Sequence, residues 1–322
     1  MSDPVRLALL GAGTVGAAVA RRLQDRSEQY AARLGRPLEL VGVAVRDTAR
    51  PREGVDPSLL TDDARGLVDR ADVVVEVMGG IEPAHDLLER AMRRGAHVVT
   101  ANKQLIARHG EQLHDLAREC GTGLDYEAAV MAAVPVLSVV RDSLAGDEVT
   151  SIRGVVNGST NYVLDLVARE GVPFDTAVRQ AGELGYLEAD PSEDLDGLDA
   201  AAKIVILART AWDATVGLDD VELTGIRGLT DEDFARAADD RAVIKLVAAA
   251  RRGPGGAVQV SVRPEALPAD DPLARVRGGT NVVVITSVSA GELRLEGAGA
   301  GGDETASAVL GDILRAALRV DG

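Results

Sequence analysis

Aromatic residues make up only 2% of this 322-residue chain, with one Trp, two Phe and four Tyr. Its interior must therefore be built from Ala, Val, Leu and Ile, and the ring platforms on which nucleic-acid bases stack are scarce. Positive charge is also short: 35 Lys and Arg against 51 Asp and Glu leave a net charge of −16. That balance argues against nucleic acid and anionic membrane surfaces as partners. One cysteine, Cys120, excludes an internal disulfide and a cysteine-based metal cluster and fits a reducing cytoplasm. A reactive thiol wants a helix N-terminus or a cationic neighbour; Cys120 stands in Arg-Glu-Cys-Gly at an expected helix end, so it reads as structural. His85, His97, His109 and His114 show no metal-ligand spacing. No apolar run approaches the roughly 18 residues of a membrane span. Arg6, the apolar stretch after it and Arg21-Arg22 imitate a signal peptide, but Gly11, Gly13 and Gly16 explain that stretch better as strand, turn and helix.

What is present is ample burial, with 46% hydrophobic residues and a length that points to two domains. Val5 to Leu10 is a short apolar run ending at Gly11-Ala12-Gly13-Thr14-Val15-Gly16, after which Ala17, Val19, Ala20 and Leu23 recur at helical spacing. G-x-G-x-x-G between a strand and a helix predicts a dinucleotide site: the glycines permit a tight turn and close approach to a pyrophosphate at a helix N-terminus. A second strand, Leu38 to Val45, ends at Arg46-Asp47, with Arg50 and Arg52 beyond. Arg46 favours NADP(H) through its extra phosphate, while Asp47 is the residue that would serve NAD(H).

Three further strands are expected at Asp72 to Val77, Ala96 to Thr100 and Gly123 to Glu127, with helices from about Pro83 to Arg94 and Lys103 to Glu119 between them. This alternation predicts a doubly wound parallel sheet with ligands at the carboxyl ends of its strands, where Gly79, Thr100 and Lys103 fall. A lysine in a helix's first turn opposes the helix dipole, so Lys103 reads as functional.

Beyond Glu127 the sequence predicts an apolar helix near Pro135 to Leu144, a strand over Val149 to Val156, a polar turn at Asn157 to Tyr162 and a helix near Phe174 to Leu184. A loop from Gly185 then gathers Glu188, Asp190, Glu193, Asp194, Asp196 and Asp199 ahead of Lys203. A helix starting near Leu198 is apolar almost all round, which places Lys203 in a dry interior with Asp199 one turn back. Val243 to Ala250, Ala257 to Val262, Asn281 to Val288 and Glu292 to Glu296 read as antiparallel strands, with an edge suited to dimerisation. Glycine-rich Gly297 to Gly302 reads as irregular, with Asp303 or Thr305 capping a last helix.

Taken together, GAGTVG at Gly11, VTANK at Val99 to Lys103, YEAAV at Tyr126 to Val130, NGSTNY at Asn157 to Tyr162, the stretch from Gly185 to Lys203 and GAGAGGDETASAVLGDI from Gly297 resemble homoserine dehydrogenase, over almost the whole chain. The resemblance implies reversible NAD(P)H-dependent reduction of L-aspartate 4-semialdehyde to L-homoserine, in threonine, methionine and isoleucine biosynthesis, by a cytoplasmic homodimer. It implies Lys103 and Lys203 as proton donor and acceptor. Glu188, Asp199, Asp194, Tyr186, Gly158 and Ser159 would bind substrate, and Gly11, Gly13, Thr14, Val15, Gly16, Arg46, Gly79, Thr100, Lys103 and Gly301 the cofactor. It further implies a sodium or potassium site of Glu127 with the carbonyls of Val130, Ala132 and Val134, although the glycines usual after the valine are here Met131-Ala132-Ala133 and the threonine usual after Asn-Gly is Ser159. The implied plan is a Rossmann-type domain of residues 1–134 plus 298–322 and an α+β substrate and dimerisation domain of 135–297, without the C-terminal regulatory domain of longer relatives. Two other readings compete: a cofactor-binding regulator without catalysis, and a different semialdehyde oxidoreductase, for which Cys120 is a poorly placed nucleophile.

Overall fold

Short runs of Val and Leu, each followed by a helical stretch, build the first sheet in the computed structural model, which describes residues 3–187 and 190–320. The chain divides into two units, Met1–Ala133 with Ala300–Gly322 and Val134–Gly299. In the first, β1 (Val5–Leu10) leads into α1 (Thr14–Asp25) and α2 (Ser27–Leu34), then β2 (Leu38–Ala44), β3 (Leu60–Thr61) and α3 (Ala64–Val68). Next come β4 (Val73–Glu76), α4 (Ala84–Arg93), β5 (His97–Thr100), α5 (Lys103–Cys120), β6 (Leu124–Asp125) and α6 (Ala128–Met131). All neighbouring strands are parallel, in the order β3-β2-β1-β4-β5-β6. This is the doubly wound order, whose crevice opens between β1 and β4, where the winding reverses.

Strand interiors such as Leu7, Leu9, Val73 and Val75 are fully buried because helices cover both faces. The C-terminal helix, Gly302–Ala317, supplies Val309 and Ile313 to that core. Its start departs from the sequence expectation: Gly301 is the N-cap and no side chain caps it. Asp303 lies instead in the first turn, 2.8 Å from an Arg21 guanidinium nitrogen. The helices α2 and α3 and the two-residue strand β3 had no clear periodic signal and were not anticipated.

The second unit begins with α7 (Val136–Ser138), continued by a π-helical turn at Val139–Ser143, and β7 (Val149–Val155). After these come α8 (Gly158–Glu170), α9 (Phe174–Glu183), α10 (Ser192–Leu195), α11 (Leu198–Trp212), β8 (Val221–Leu223) and α12 (Asp231–Asp239). The strands β9 (Ala242–Arg252), β10 (Val258–Pro268), β11 (Thr280–Ser287) and β12 (Gly291–Ala298) complete it. The sheet order is β12-β11-β7-β9-β10-β8. Its pairs are antiparallel as expected, except β8 with β10, which is parallel and corrects an all-antiparallel reading. Gly297 and Ala298 pair with Asn281 and Thr280, so part of the glycine tail is strand. The acidic stretch, expected to be loop up to the helix near Leu198, holds α10, and α12 was missed because its face is mostly alanine.

Candidate active site

The turn from β1 into α1 is shaped by what its glycines cannot carry. Gly11 has φ of +102°, and a Cβ there would meet the Val77 carbonyl oxygen at 2.9 Å, so β1 and the end of β4 approach closely only without a side chain. A Cβ on Gly16 would collide with the Gly11 carbonyl. Gly13 is different: nothing lies within 4 Å of a Cβ there, which leaves room beside the N-terminus of α1. Thr14 and Val15 form the first turn of α1. Gly302 packs against Thr14, where a Cβ would come within 2.7 Å of Cγ2, so Gly301 and the C-terminal helix border the same turn.

Glu76 organises the neighbouring loops, a role that the sequence reading missed. Fully buried at the end of β4, it accepts the Met78 and Gly79 backbone N–H groups at 2.7 and 3.1 Å. Thr100 donates its hydroxyl to the other Glu76 oxygen at 2.5 Å and is itself fully buried. Thr100 therefore holds the end of β5 to the end of β4 from within the crevice. Asn102 ties the two loops together through Gly80 O at 2.6 Å and caps α5 by accepting the Leu105 N–H. Lys103 is thereby fixed as the first residue of α5. At the end of β2, Arg46 is exposed and Asp47 turns its carboxylate onto the Ala49 N–H at 3.0 Å.

Glu127 is buried, with its N–H donated to Asp312 Oδ2 at 2.8 Å. Burial, reinforced by the Asp125 carboxylate, pushes the Asp312 carboxyl up to about 7. Ala132 has a left-handed φ of 46°, unusual for a residue with a side chain. The Val134 carbonyl accepts the Val136 N–H at 2.8 Å and, having a second lone pair, can take a further partner.

In the second unit, α11 starts at Leu198 because Gly197 takes φ of 82° as its N-cap, and the helix is buried without a break from Asp199 to Ala208. Lys203 and Asp199 meet there as expected, Nζ to Oδ2 at 2.8 Å, and Lys203 also donates to Val156 O at 2.7 Å. Asn157 opens the polar turn expected at Asn157 to Tyr162. It caps α8, accepting the Thr160 N–H at 2.8 Å, and its amide also donates to Asp194 Oδ1 at 2.6 Å and Asp199 Oδ2 at 2.8 Å. Two carboxylates and a lysine are thus drawn to the first turn of α8.

Ser159 donates its hydroxyl to Tyr186 O at 2.6 Å, and the Tyr186 ring stacks on Tyr162 at 4.2 Å between centroids while remaining 41% exposed. Gly158 closes on Gly279, whose carbonyl oxygen would lie 2.5 Å from a Cβ. Of the other acids in the loop, Asp190 holds Ser192 and Asp196 pairs with Arg227. Glu188 lies outside the described residues. Among the described residues, Glu82, His85 and Asp86 each hold one potential ligand atom within 4.8 Å of the others, and both acids are exposed.

A family model described as homoserine dehydrogenase matches residues 135–314, and one described as the homoserine dehydrogenase NAD-binding domain matches 11–127. The homoserine dehydrogenase of Corynebacterium glutamicum is 44% identical over 319 residues, covering 97% of this chain and 72% of that protein. The NAD(+)-dependent homoserine dehydrogenase of Pseudomonas canavaninivorans is 38% identical, covering 96% of this chain and 95% of that one. Among solved structures, that of a homoserine dehydrogenase from Thiobacillus denitrificans superposes with a TM-score of 0.92 at 34% identity, over 98% of this chain and 74% of that one. A hyperthermophilic archaeal homoserine dehydrogenase in complex with NADPH gives 0.84 at 32% identity, over 98% of each. With both halves matched and the glycine turn and lysine–carboxylate cluster in place, the chain belongs to the homoserine dehydrogenase family of NAD(P)-dependent oxidoreductases acting on a CH–OH group.

Proposed function

We propose that this chain interconverts L-aspartate 4-semialdehyde and L-homoserine with NADP(H) in preference to NAD(H), using Lys203 and Lys103 to handle the proton on the C4 oxygen. The observation that carries the reading is the buried Lys203–Asp199 pair bridged by Asn157 to Asp194. A buried ammonium needs partners, and Asp199 supplies the opposite charge that pairs with and orients it. Asp199 and Val156 O take two of its three donors, and the third is assigned to the substrate oxygen. Asp194, Asp199 and Glu188 give the negative charge that an amino-acid ammonium seeks, with Tyr186, Ser159 and Gly158 alongside.

Room beside Gly13 and the bare N-terminus of α1 fit a dinucleotide pyrophosphate. When bound, the nicotinamide supplies or accepts the hydride at C4. Gly11, Gly16, Thr14, Val15, Gly79 and Gly301 shape that cradle. Arg46 is assigned to the extra phosphate of NADP, in keeping with the self-bonded Asp47 carboxylate; the NADPH-bound archaeal relative favours this choice and the NAD(+)-dependent relative is its counterweight. An all-oxygen set of Glu127 and the carbonyls of Val130, Ala132 and Val134 suits sodium or potassium. The outermost strand β12 is assigned to a homodimer contact, and the lone Cys120 is in keeping with a cytoplasmic setting.

The test is reduced-nicotinamide absorbance with L-homoserine plus NADP⁺ or NAD⁺. Wild-type turnover that disappears in Lys203→Ala and Lys103→Ala, with nucleotide binding kept, supports the assignment. Folded wild type that binds nucleotide but oxidises no homoserine would overturn it.

A further inference from the structure

Lys245, on β9, is 1% exposed and is the largest fully buried side chain among the described residues. No step proposed above uses it. Its Nζ donates to Asn161 Oδ1 and to Val276 O, both at 2.7 Å. Asn161, in the first turn of α8 and likewise fully buried, passes its own amide N–H groups to Gly278 O at 2.8 Å and Thr280 O at 3.3 Å. From α8 the buried Asp165 adds a second anchor, accepting the Gly278 N–H at 3.0 Å and the Arg277 guanidinium at 2.8 Å. Residues 276–280 are therefore fixed from beneath by a buried cation, an amide and a buried carboxylate.

That segment runs directly into the lysine site. Asn281 follows at once, fully buried, and its Nδ2 donates to Val156 O at 2.9 Å, the same carbonyl that accepts Lys203 Nζ. Gly279 faces Gly158 and Tyr186, where added Cβ atoms would come within 2.5 and 2.7 Å of the other side. We propose that Lys245 is a positioning residue for the Lys203 site, acting through segment 276–281 and the Asn281 amide to hold the Val156 carbonyl at Lys203. This rests on the function proposed above.

The physical case lies in what a lysine does here that an apolar residue would not. Replacing a buried ion by a well-packed apolar side chain is often neutral or stabilising, so stability alone gives no reason for an ammonium at 245. Two directed donors from one cation fix two acceptors relative to each other, which a methionine of similar volume cannot do. A carbonyl with both lone pairs occupied, by Asn281 and Lys203, has no freedom to turn. If the segment slackens, Val156 O is held from one side only and the Lys203 ammonium loses a fixed partner.

The experiment compares wild type, Lys245→Met and Asn281→Ala in the full chain by thermal melting, by hydrogen–deuterium exchange over residues 276–281, and by steady-state oxidation of L-homoserine with NADP⁺. The expected result has Lys245→Met melting within a few degrees of wild type while the segment exchanges faster. In both variants kcat should fall about tenfold or more, with KM for NADP⁺ changed less than about twofold. Exchange and kcat at wild-type values in folded Lys245→Met would overturn the proposal, as would a loss that tracks a general fall in melting temperature. If Lys245→Met does not fold, Asn281→Ala decides, and an unchanged kcat there overturns the relay. Wild type without homoserine-dependent turnover would sink the reaction assigned above, leaving the exchange comparison to decide whether Lys245 holds the segment.

Discussion

Lys203 and Asp199 stand one helical turn apart on α11, 2.8 Å between charged atoms, with each side chain only 9% exposed. Removing one partner of such a pair leaves an uncompensated buried charge. Asp199→Ala should therefore destabilise the fold by about 3–5 kcal/mol, measured by urea denaturation at neutral pH. Lys203→Ala should reduce kcat by roughly 10²–10⁴ through loss of the proton-transfer group, while a fluorescence titration with NADPH stays near wild type.

Asn157 separates capping from site geometry. Asn157→Ser keeps a side-chain oxygen able to cap α8, so melting should change by less than about 1 kcal/mol. The amide that joins Asp194 to Asp199 is lost, and KM for L-homoserine should rise about tenfold, in line with a hydrogen bond to a charged group. Equal KM in the folded variant would remove Asn157 from the site.

The glycine turn gives a paired test. A Cβ at Gly16 collides with the Gly11 backbone, so Gly16→Ala should lower both stability and nucleotide affinity. At Gly13, where φ is −75° and the space is open, alanine should leave the melt within about 0.5 kcal/mol yet weaken NADP⁺ binding. Unaltered binding in Gly13→Ala would mean that the cradle is not where the dinucleotide sits.

Arg46 is exposed at the end of β2. Arg46→Ala should reduce kcat/KM with NADP⁺ by about 10–100-fold, as for the loss of a charged hydrogen-bond partner to phosphate, and leave the NAD⁺ value nearly unchanged. A parallel fall with both cofactors would return the ribose contact to Asp47.

Burial lowers the Lys245 ammonium to about 8, with Arg277 adding to the effect and Asp165 opposing it. Between about pH 8 and 10.5 the unfolded chain keeps a proton that the fold has released, so this group's penalty is complete below pH 8 and is relieved as pH rises. The stability of wild type relative to Lys245→Met should increase by about 3 kcal/mol across that window, read from denaturation curves at stepped pH. A pH-independent difference would contradict it.

Periodicity and punctuation carried much of the fold. The runs at Val5 to Leu10 and Leu38 to Val45, the helix from Lys103 to about Glu119, and the all-apolar helix around Lys203 could be read directly, because each is a local signal. Helices α2, α3 and α12 and the brief strands β3 and β8 escaped, since a few residues give no period and their pairing is set by the neighbouring sheet. The same limit hid Glu76, Asn281 and Lys245. Nothing near Lys245 in the chain marks it, because its partners are 84 and 31 residues away.

The sequence by itself determined the longer strands and helices, that a glycine turn opens a nucleotide-binding sheet, and that Asp199 and Lys203 share a helix face, all of which depend on residues a few positions apart. Only the tertiary structure decided that Thr100 turns inward to Glu76, that Asn157 reaches two carboxylates, and that a carbonyl at Val156 is gripped by Lys203 and Asn281 together. These arise where distant segments close over groups that must be hydrogen-bonded once water is excluded, and partner choice under that constraint is a property of packing, not of local sequence.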